Sequence, residues 1–469
     1  FERKLLYMGL ERLLRQDEAQ FKRAWQRYHQ ALPRSDTDFL TFSHFVARWF
    51  SWHYDPQSEY WLTLADKDLK DYELMQRRIR LALHQRDWAA VRNWIGALPI
   101  DQRQEQAWQY WDARAHLELL KQHALYLLTL DLQQPSPATA NSKLVNEFTK
   151  IHNQFVHILR SPQAQLDVNW QHDSPTHALQ TIRQQLLTLA KNRSFYGFLA
   201  SEILKQPLSL NHTPITLNAK ERAKLESQPG IQAAHEWFQL ERYATARREW
   251  SYATRDFSPS EKTFAAKVAN EWGWYNQGIF TAAFSNHKDD LVVRFPLGFF
   301  DTIYEQAIEQ HLYADWTFAL IRQESAYMHD ARSPVGALGL MQLMPSTAKT
   351  VFRRYGEKYP GNRNILTPAT NVKTGMRYLA TLFKQFNGNL LLATAAYNAG
   401  PHRAISWQDE TAGIPGDLWI ELIPIQETRD YVKNIMAYQA IYRWHLGRAP
   451  RLSASLERVP PLSETQQDE

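Results

Sequence analysis

A chain of 469 residues is long enough for two or three domains with cores of their own, at roughly 100 to 200 residues per domain. It contains no cysteine, which removes disulfides, thiol nucleophiles and every cysteine-ligated metal site, and it has no uncharged apolar run of about 18 residues of the kind that spans a membrane. The net charge of +5 is small for this length and the basic residues are scattered among acids, so nucleic acid is not expected as a partner, while acidic polymers stay open.

The 17 glycines are about half the usual ~7%. With frequent Leu, Ala, Gln, Arg and Glu, this scarcity predicts a mainly all-α protein with few tight turns. Six glycines precede residue 298 and 11 lie from Gly298 onward, which predicts a glycine-poor helical region followed by a compact domain that needs special backbone angles. The chain opens at Phe1 without a basic-then-apolar stretch, so any secretion leader is expected to be already removed or never to have been there.

Residues 1–190 read as successive amphipathic helices with short polar breaks. The run from Asp87 to Trp94 leads through Leu98, Pro99 and Ile100 into a second helix with Trp108 and Trp111. A similar phrase runs from Arg242 to Trp250, breaks at Ser258 and Pro259, and continues with Phe264 and Trp272. Large aromatics facing alanines across paired helices are how helical repeats stack, and the tryptophans are expected in cores rather than on ligand platforms. Linkers are expected at residues 133–142 and 161–177, with a third break at 207–214 after the aromatic phrase from Ser194 to Phe198. Three familiar chemistries are absent. His235 and Glu236 have Gln239 where a zinc-protease helix needs its second histidine, Gly273 and Gly278 are followed by Ile279 where a phosphate loop needs lysine, and there is no G-x-S-x-G elbow.

The chemistry is expected further on. Trp316, Leu320 and Glu324 are spaced i, i+4, i+8, which puts Glu324 on the apolar stripe of its own helix near the C-terminal end. Burial there disfavours the carboxylate, and the negative end of the helix dipole pushes the same way. An acid kept protonated near neutral pH suits protonation of a glycosidic oxygen. The helix alone leaves open a glutamate that simply reaches past its end into solvent. Residues 333–345 then form a glycine-punctuated apolar run around one amide, Gln342, which needs hydrogen-bond partners of the kind a sugar's hydroxyl and acetamido groups supply. Met341 and Met344 are adaptable apolar surfaces that suit a sugar face or a core. Pro345 ends the run, with Ser346 or Thr347 expected to cap the next helix. The stretch 389–398 reads as a core helix ended by Gly400 and Pro401, with Tyr397 and Asn398 either satisfied in the core or lining a pocket. A last helix near 426–446 carries Tyr431, Ile435, Tyr438 and Tyr442 as a stripe expected to be mainly core.

These residues carry a resemblance. Gln323-Glu324-Ser325, then Gly339-Leu340-Met341-Gln342, then Ala396-Tyr397-Asn398-Ala399-Gly400, then Glu427-Thr428-Arg429 with Tyr431 resemble the four ordered motifs of soluble lytic transglycosylases of the goose-type-lysozyme-like kind, which cleave the bond between N-acetylmuramic acid and N-acetylglucosamine in bacterial peptidoglycan. The motifs cover about 295–447, and the preceding helices, shorter than the family's full superhelix, resemble its superhelical and helical linker domains. The resemblance implies a superhelical domain over 1–190, a linker domain over 191–294, a lysozyme-like catalytic domain over 295–448 and a C-terminal tail over 449–469. It implies Glu324 as a single catalytic acid that then acts as base. Ser325 and Ser333 are implied beside the acid and the sugar, Gly339, Met341, Gln342 and Met344 along the glycan groove, Tyr397 and Asn398 beside the cleavage point with the tyrosine hydroxyl supporting the acid, and Glu421 and Tyr431 as further groove residues. Asp330 and Glu421 stand as alternatives for a second catalytic carboxylate. No metal or cofactor is implied. The implied partners are glycan strands, with other cell-wall enzymes open, and the implied location is periplasmic in a Gram-negative cell. An ordinary muramidase and a non-catalytic glycan-binding scaffold remain as rival readings.

Overall fold

The computed structural model describes residues 2–32, 37–131, 153, 175–411, 413–452 and 458–461. The expected linker at 133–142 lies outside them, as does that at 161–177 except for its last three residues, which open the helix Pro175–Ala190. The chain divides into two compact units, Phe1–Leu189 and Ala190–Glu469. Among the described residues the regular elements are helices, and extended pairing is confined to three isolated bridges. The mainly all-α expectation holds.

In the first unit, helices start where short acids satisfy the free backbone donors of the first turn. Asp17 accepts from Gln20 N (2.8 Å), Asp71 from Leu74 N (3.0 Å) and Asp87 from Ala90 N (2.9 Å). Each helix then packs mainly on its neighbours in sequence, because a single amphipathic pair cannot cover its own apolar face. Tyr7, Phe21, Trp25, Phe42 and Trp61 share one buried cluster, and Trp108 and Trp111 are as fully enclosed. Such a ring removes roughly 150–250 Å² from water, worth about 4–6 kcal/mol before entropy is charged against it. The expectation that the tryptophans build cores holds for these.

In the second unit, the Ser194 phrase becomes the helix Phe195–Leu204, capped by Ser194 accepting from Gly197 N (3.1 Å) and buried on nearly every side. The break at 207–214 is irregular, as expected. The Arg242 phrase forms Tyr243–Ala253, and Ser258 closes a capping box with Glu261 at the start of Pro259–Glu271. Trp272 is the cap residue just past that helix, stacked on His235 (3.8 Å). Helices Ala314–Ser325, Leu390–Ala399 and Gln426–His445 pack together. The segment 332–343 folds back on itself through the Arg332–Leu338 and Leu338–Leu343 bridges. The stretch expected as a tail is docked where it is described: Leu452 N donates to the Glu202 carboxylate (2.9 Å), and Val459 exchanges backbone bonds with Gly413 (2.9 Å) and Ile414 (3.0 Å).

Candidate active site

The helix Ala314–Ser325 is anchored at both ends before it presents anything. Asp315, wholly buried near its start, accepts from Gln439 Nε2 (2.8 Å) and lies 3.5 Å from Arg443 and Arg448. Trp316 Nε1 donates to Thr394 Oγ1 (3.0 Å), which ties the helix to Leu390–Ala399. Near the other end Arg322 donates to Arg294 O (2.7 Å) and lies over the rings of Phe295 and Tyr438. The backbone leaves the helix through two successive left-handed residues, Ala326 (φ 48°) and Tyr327 (φ 66°). That conformation costs of order 1–3 kcal/mol per residue, and the Tyr327 hydroxyl is fixed on Tyr442 Oη (2.9 Å).

Glu324 therefore emerges from a rigid end. Its Oε1 accepts from the Tyr431 hydroxyl at 2.5 Å. Burial raises its carboxyl from 4.5 to about 7, the Tyr431 hydrogen bond pulls the other way, and the nearby charge of Glu427 raises it further. Glu324 is half-buried at the end of its helix, with its carboxyl turned onto Tyr431 rather than out into solvent. Tyr431, 5% exposed, belongs to the core stripe and to the site at once.

The segment after the acid is fastened from three sides. Ser325 Oγ donates to Leu340 O (2.8 Å), the Tyr397 hydroxyl donates to Met341 O (2.8 Å), and Asn371 Oδ1 accepts from Met341 N (2.8 Å) while its Nδ2 donates to Leu338 O and Ile365 O (2.9 Å each). Gly339 has φ +75°, and a Cβ there would collide with the Asn371 amide, so glycine is required twice over. Ser333 Oγ accepts from Ala337 N (2.9 Å) in the turn before it. Asn398 Oδ1 accepts from Thr428 Oγ1 (2.6 Å), which joins the two motif helices. Tyr378, in ring contact with Tyr397 (5.4 Å), also lines a cleft of about 470 Å³ with Ser346, Thr347, Arg354 and His402.

Several expected roles change. Met341 is 0% exposed and packs on Gly375, so its side chain supports the groove from behind and only Met344, 38% exposed, offers a thioether to a ligand. Ser325 is buried with its hydroxyl on the hairpin rather than toward a sugar. Gln342 is half-buried, left-handed (φ 45°) and donates to Gly339 O (2.9 Å). The Tyr397 hydroxyl serves Met341 O, and Tyr431 is the tyrosine that holds the acid. Neither Ser346 nor Thr347 caps the next helix, since Met344 occupies the cap with no side-chain bond and Pro345 follows at the first position, where its missing N–H costs nothing. Glu421 is 1% exposed and cannot line a groove. It accepts from Lys433 Nζ (2.9 Å) and from the Tyr196 hydroxyl, with Arg429 at 3.9 Å. Asp330 is held by both terminal nitrogens of Arg247 (2.9 and 2.7 Å). Both alternatives for a second carboxylate are thus neutralised in ion pairs. Sequence reasoning did not find Asn371, because one asparagine on a helix carries no signal of what it will face, nor Glu427 as the acid's charged neighbour, although the motif contained it.

Removing the Tyr431 hydroxyl isolates its effect on the acid. In Tyr431→Phe the carboxylate loses a charge-assisted bond worth about 1.5–3 kcal/mol, so the Glu324 midpoint should rise above 7 by about one unit or more. A pH–rate profile whose alkaline limb moves to higher pH meets this expectation; an unmoved limb contradicts it.

Comparison with known proteins follows the same lines. Residues 301–420 match the transglycosylase SLT domain, 224–291 the soluble lytic murein transglycosylase L domain, and 422–451 the soluble lytic transglycosylase helical domain. Soluble lytic murein transglycosylases of Salmonella typhimurium and Escherichia coli K12 are 29% and 28% identical over 388 residues, 82% of this chain and 51% of theirs. The chain spans about half the length of these curated relatives. An inactive mutant of the lytic transglycosylase Slt from Pseudomonas aeruginosa superposes with a TM-score of 0.73 at 31% identity, over 96% of this chain and 64% of that one. The 70 kDa soluble lytic transglycosylase of Escherichia coli, also solved in complex with bulgecin A, gives 0.76 at 25% identity over 97% and 65%. No helix among the described residues is long and apolar enough to cross a membrane.

Proposed function

The chain belongs to the soluble lytic transglycosylase family, and on that premise we propose that it cleaves the β-1,4 bond between N-acetylmuramic acid and N-acetylglucosamine in peptidoglycan and leaves a 1,6-anhydromuramoyl end. The observation that carries this reading is a single glutamic acid whose carboxyl is raised to about 7 while Asp330 and Glu421 are committed to cations. Most glycosidases divide the work between two carboxylates. With one, the nucleophile this reading assigns is the substrate's own C6 hydroxyl. Glu324, protonated, gives its proton to the glycosidic oxygen as the C1–O bond breaks, and the 2-acetamido group of the muramoyl sugar stabilises the positive charge at C1. Glu324, now a carboxylate held by Tyr431, takes the proton of the same sugar's C6 hydroxyl as that oxygen bonds to C1. The hydroxyl is already tethered, so the second step gains from proximity and needs no bound water. Gln342, Met344, Ser333 and Asn398, at the accessible edge of the site, are the side chains assigned to hold the strand.

The same reading assigns 1–190 to a superhelical region, 191–294 to a linker and 295–448 to catalysis, and it places the protein outside the cytoplasm, where its substrate is. One rival has an observation of its own: Glu427 is exposed and close enough for its charge to act on Glu324, so a muramidase with Glu427 as base and water as nucleophile has its parts. Mass spectrometry of digested peptidoglycan separates the two. Non-reducing products one water lighter than the hydrolytic ones are expected; reducing-end muramic acid as the only product would replace this function with hydrolysis.

A further inference from the structure

We propose that His212 is a proton switch on the segment that seats the acid's helix: with Nδ1 bare the ring accepts the Leu291 N–H, and with Nδ1 protonated it donates to Asp289 O and lets Leu291 go. One ring nitrogen stands between a donor and an acceptor. His212 Nδ1 lies 3.1 Å from Leu291 N and 3.3 Å from Asp289 O, with the ring against Trp444. A backbone N–H can only donate and a carbonyl oxygen can only accept, so the two bonds call for opposite states of the same atom. Leu291 is 0% exposed and opens the turn Leu291–Arg294. The cap residue Asp290 serves Val292 N (2.9 Å) and Val293 N (3.2 Å), which leaves the Leu291 N–H to His212. A buried first-turn donor without an acceptor is costly, so the turn depends on the bare ring nitrogen.

The segment 291–296 touches both helices whose side chains form the Glu324–Tyr431 bond. Arg294 O accepts from Arg322, two residues before Glu324, at 2.7 Å. Leu291 O accepts from His445 Nε2 (3.1 Å) and Pro296 O from the Tyr442 hydroxyl (3.4 Å), both on the helix that carries Tyr431. The strap that holds His212 has other fastenings that an imidazole proton does not alter. Thr213 N donates to Asp289 O (2.9 Å), Ile215 N to the Asp290 carboxylate (2.8 Å) and Arg193 to Leu210 O (3.0 Å). Protonation at His212 therefore frees one amide and leaves the strap in place. The charged and titratable groups of the elements that meet here are Asp289 on Arg193 (2.8 Å), Asp290 with Lys267 at 3.8 Å, Lys288, Arg294, His287 and His445. His287 Nε2 faces Thr213 O (2.7 Å) and His445 Nε2 faces Leu291 O. A carbonyl accepts from a neutral or a charged ring alike, so of these three histidines only His212 changes its partner with its proton. Burial also brings His445 down to about 4, below the range of about pH 5–8 in which imidazoles commonly charge.

Nuclear magnetic resonance of the full chain labelled with ¹⁵N tests the switch directly. At about pH 8 His212 Nδ1 should resonate as a bare acceptor and show a ¹⁵N–¹⁵N coupling to Leu291 N across the hydrogen bond. At about pH 5 that coupling should vanish as Nδ1 gains its proton. Amide exchange of residues 291–295, corrected for the intrinsic effect of pH, should lose protection about tenfold over the same interval, the effect of one hydrogen bond, while Thr213 and Ile215 keep theirs. In His212→Asn, whose amide has no proton to gain, protection of 291–295 should be the same at both ends of the interval. A proton on His212 Nδ1 at the alkaline end, a coupling that persists at the acid end, protection that does not fall in wild type, or an equal fall in His212→Asn overturns the proposal. The wild-type readings stand even where the variant does not fold. None of them uses turnover, so a protein that switches as expected but yields no anhydro product loses the proposed function and keeps the switch.

Discussion

Glu324→Gln should lower formation of the anhydro product by about 10²–10⁴-fold, the contribution of a positioned general acid, and should at the same time make the protein more stable in alkali. The second effect follows from the raised carboxyl. In the folded chain it titrates at about 7, against an ordinary 4.5, so between these values the native state keeps a proton that the unfolded chain has released. Stability therefore falls as pH rises through that window, and above it the fold bears the full cost of ionising this carboxyl, of order 3 kcal/mol. Glutamine has the shape without the charge. Denaturation of variant and wild type should coincide near pH 4 and diverge by pH 8, with the variant the more stable. A stability difference that does not change with pH would show that Glu324 does not carry the raised carboxyl described above, whatever happens to the rate.

The second large effect is expected at Glu421. Its carboxylate is 1% exposed and faces Lys433, Arg429 and the Tyr196 hydroxyl. Glu421→Ala removes the carboxylate that faces the buried Arg429 and the half-buried Lys433, and breaking such a pair from one side costs about 3–5 kcal/mol. Glu421→Gln keeps the volume and an acceptor for Tyr196 and should cost less, and Tyr196→Phe less again, about 1 kcal/mol for one hydrogen bond. Urea denaturation followed by tryptophan fluorescence reads the series. Unchanged unfolding with a raised KM would return Glu421 to the groove.

The two glutamates show what a sequence discloses about a site. The face of Glu324 was legible because it is written in its own helix, by apolar partners at i−4 and i−8; the left-handed exit at Ala326 that ends the helix appears only in the structure. Glu421 was not, because its burial depends on Lys433 and on Tyr196, which is 225 residues away. Asn371 shows the same limit, since its partners lie on the hairpin and in the turn before its helix. Tyr431 shows it differently. Its spacing correctly marks a core stripe, and the acid lies against that stripe.

The sequence by itself determined the helical class, the change from a glycine-poor to a glycine-punctuated region, the order of the motifs and the helix face on which Glu324 lies, because each is set by periodicity, backbone chirality or covalent order within a few residues. Only the tertiary structure decided which tyrosine holds the acid, which methionine meets solvent and which acids are neutralised. Those outcomes depend on hydrogen bonds and ion pairs between segments far apart in the chain, and such bonds gain their strength from burial that exists only once the helices have packed.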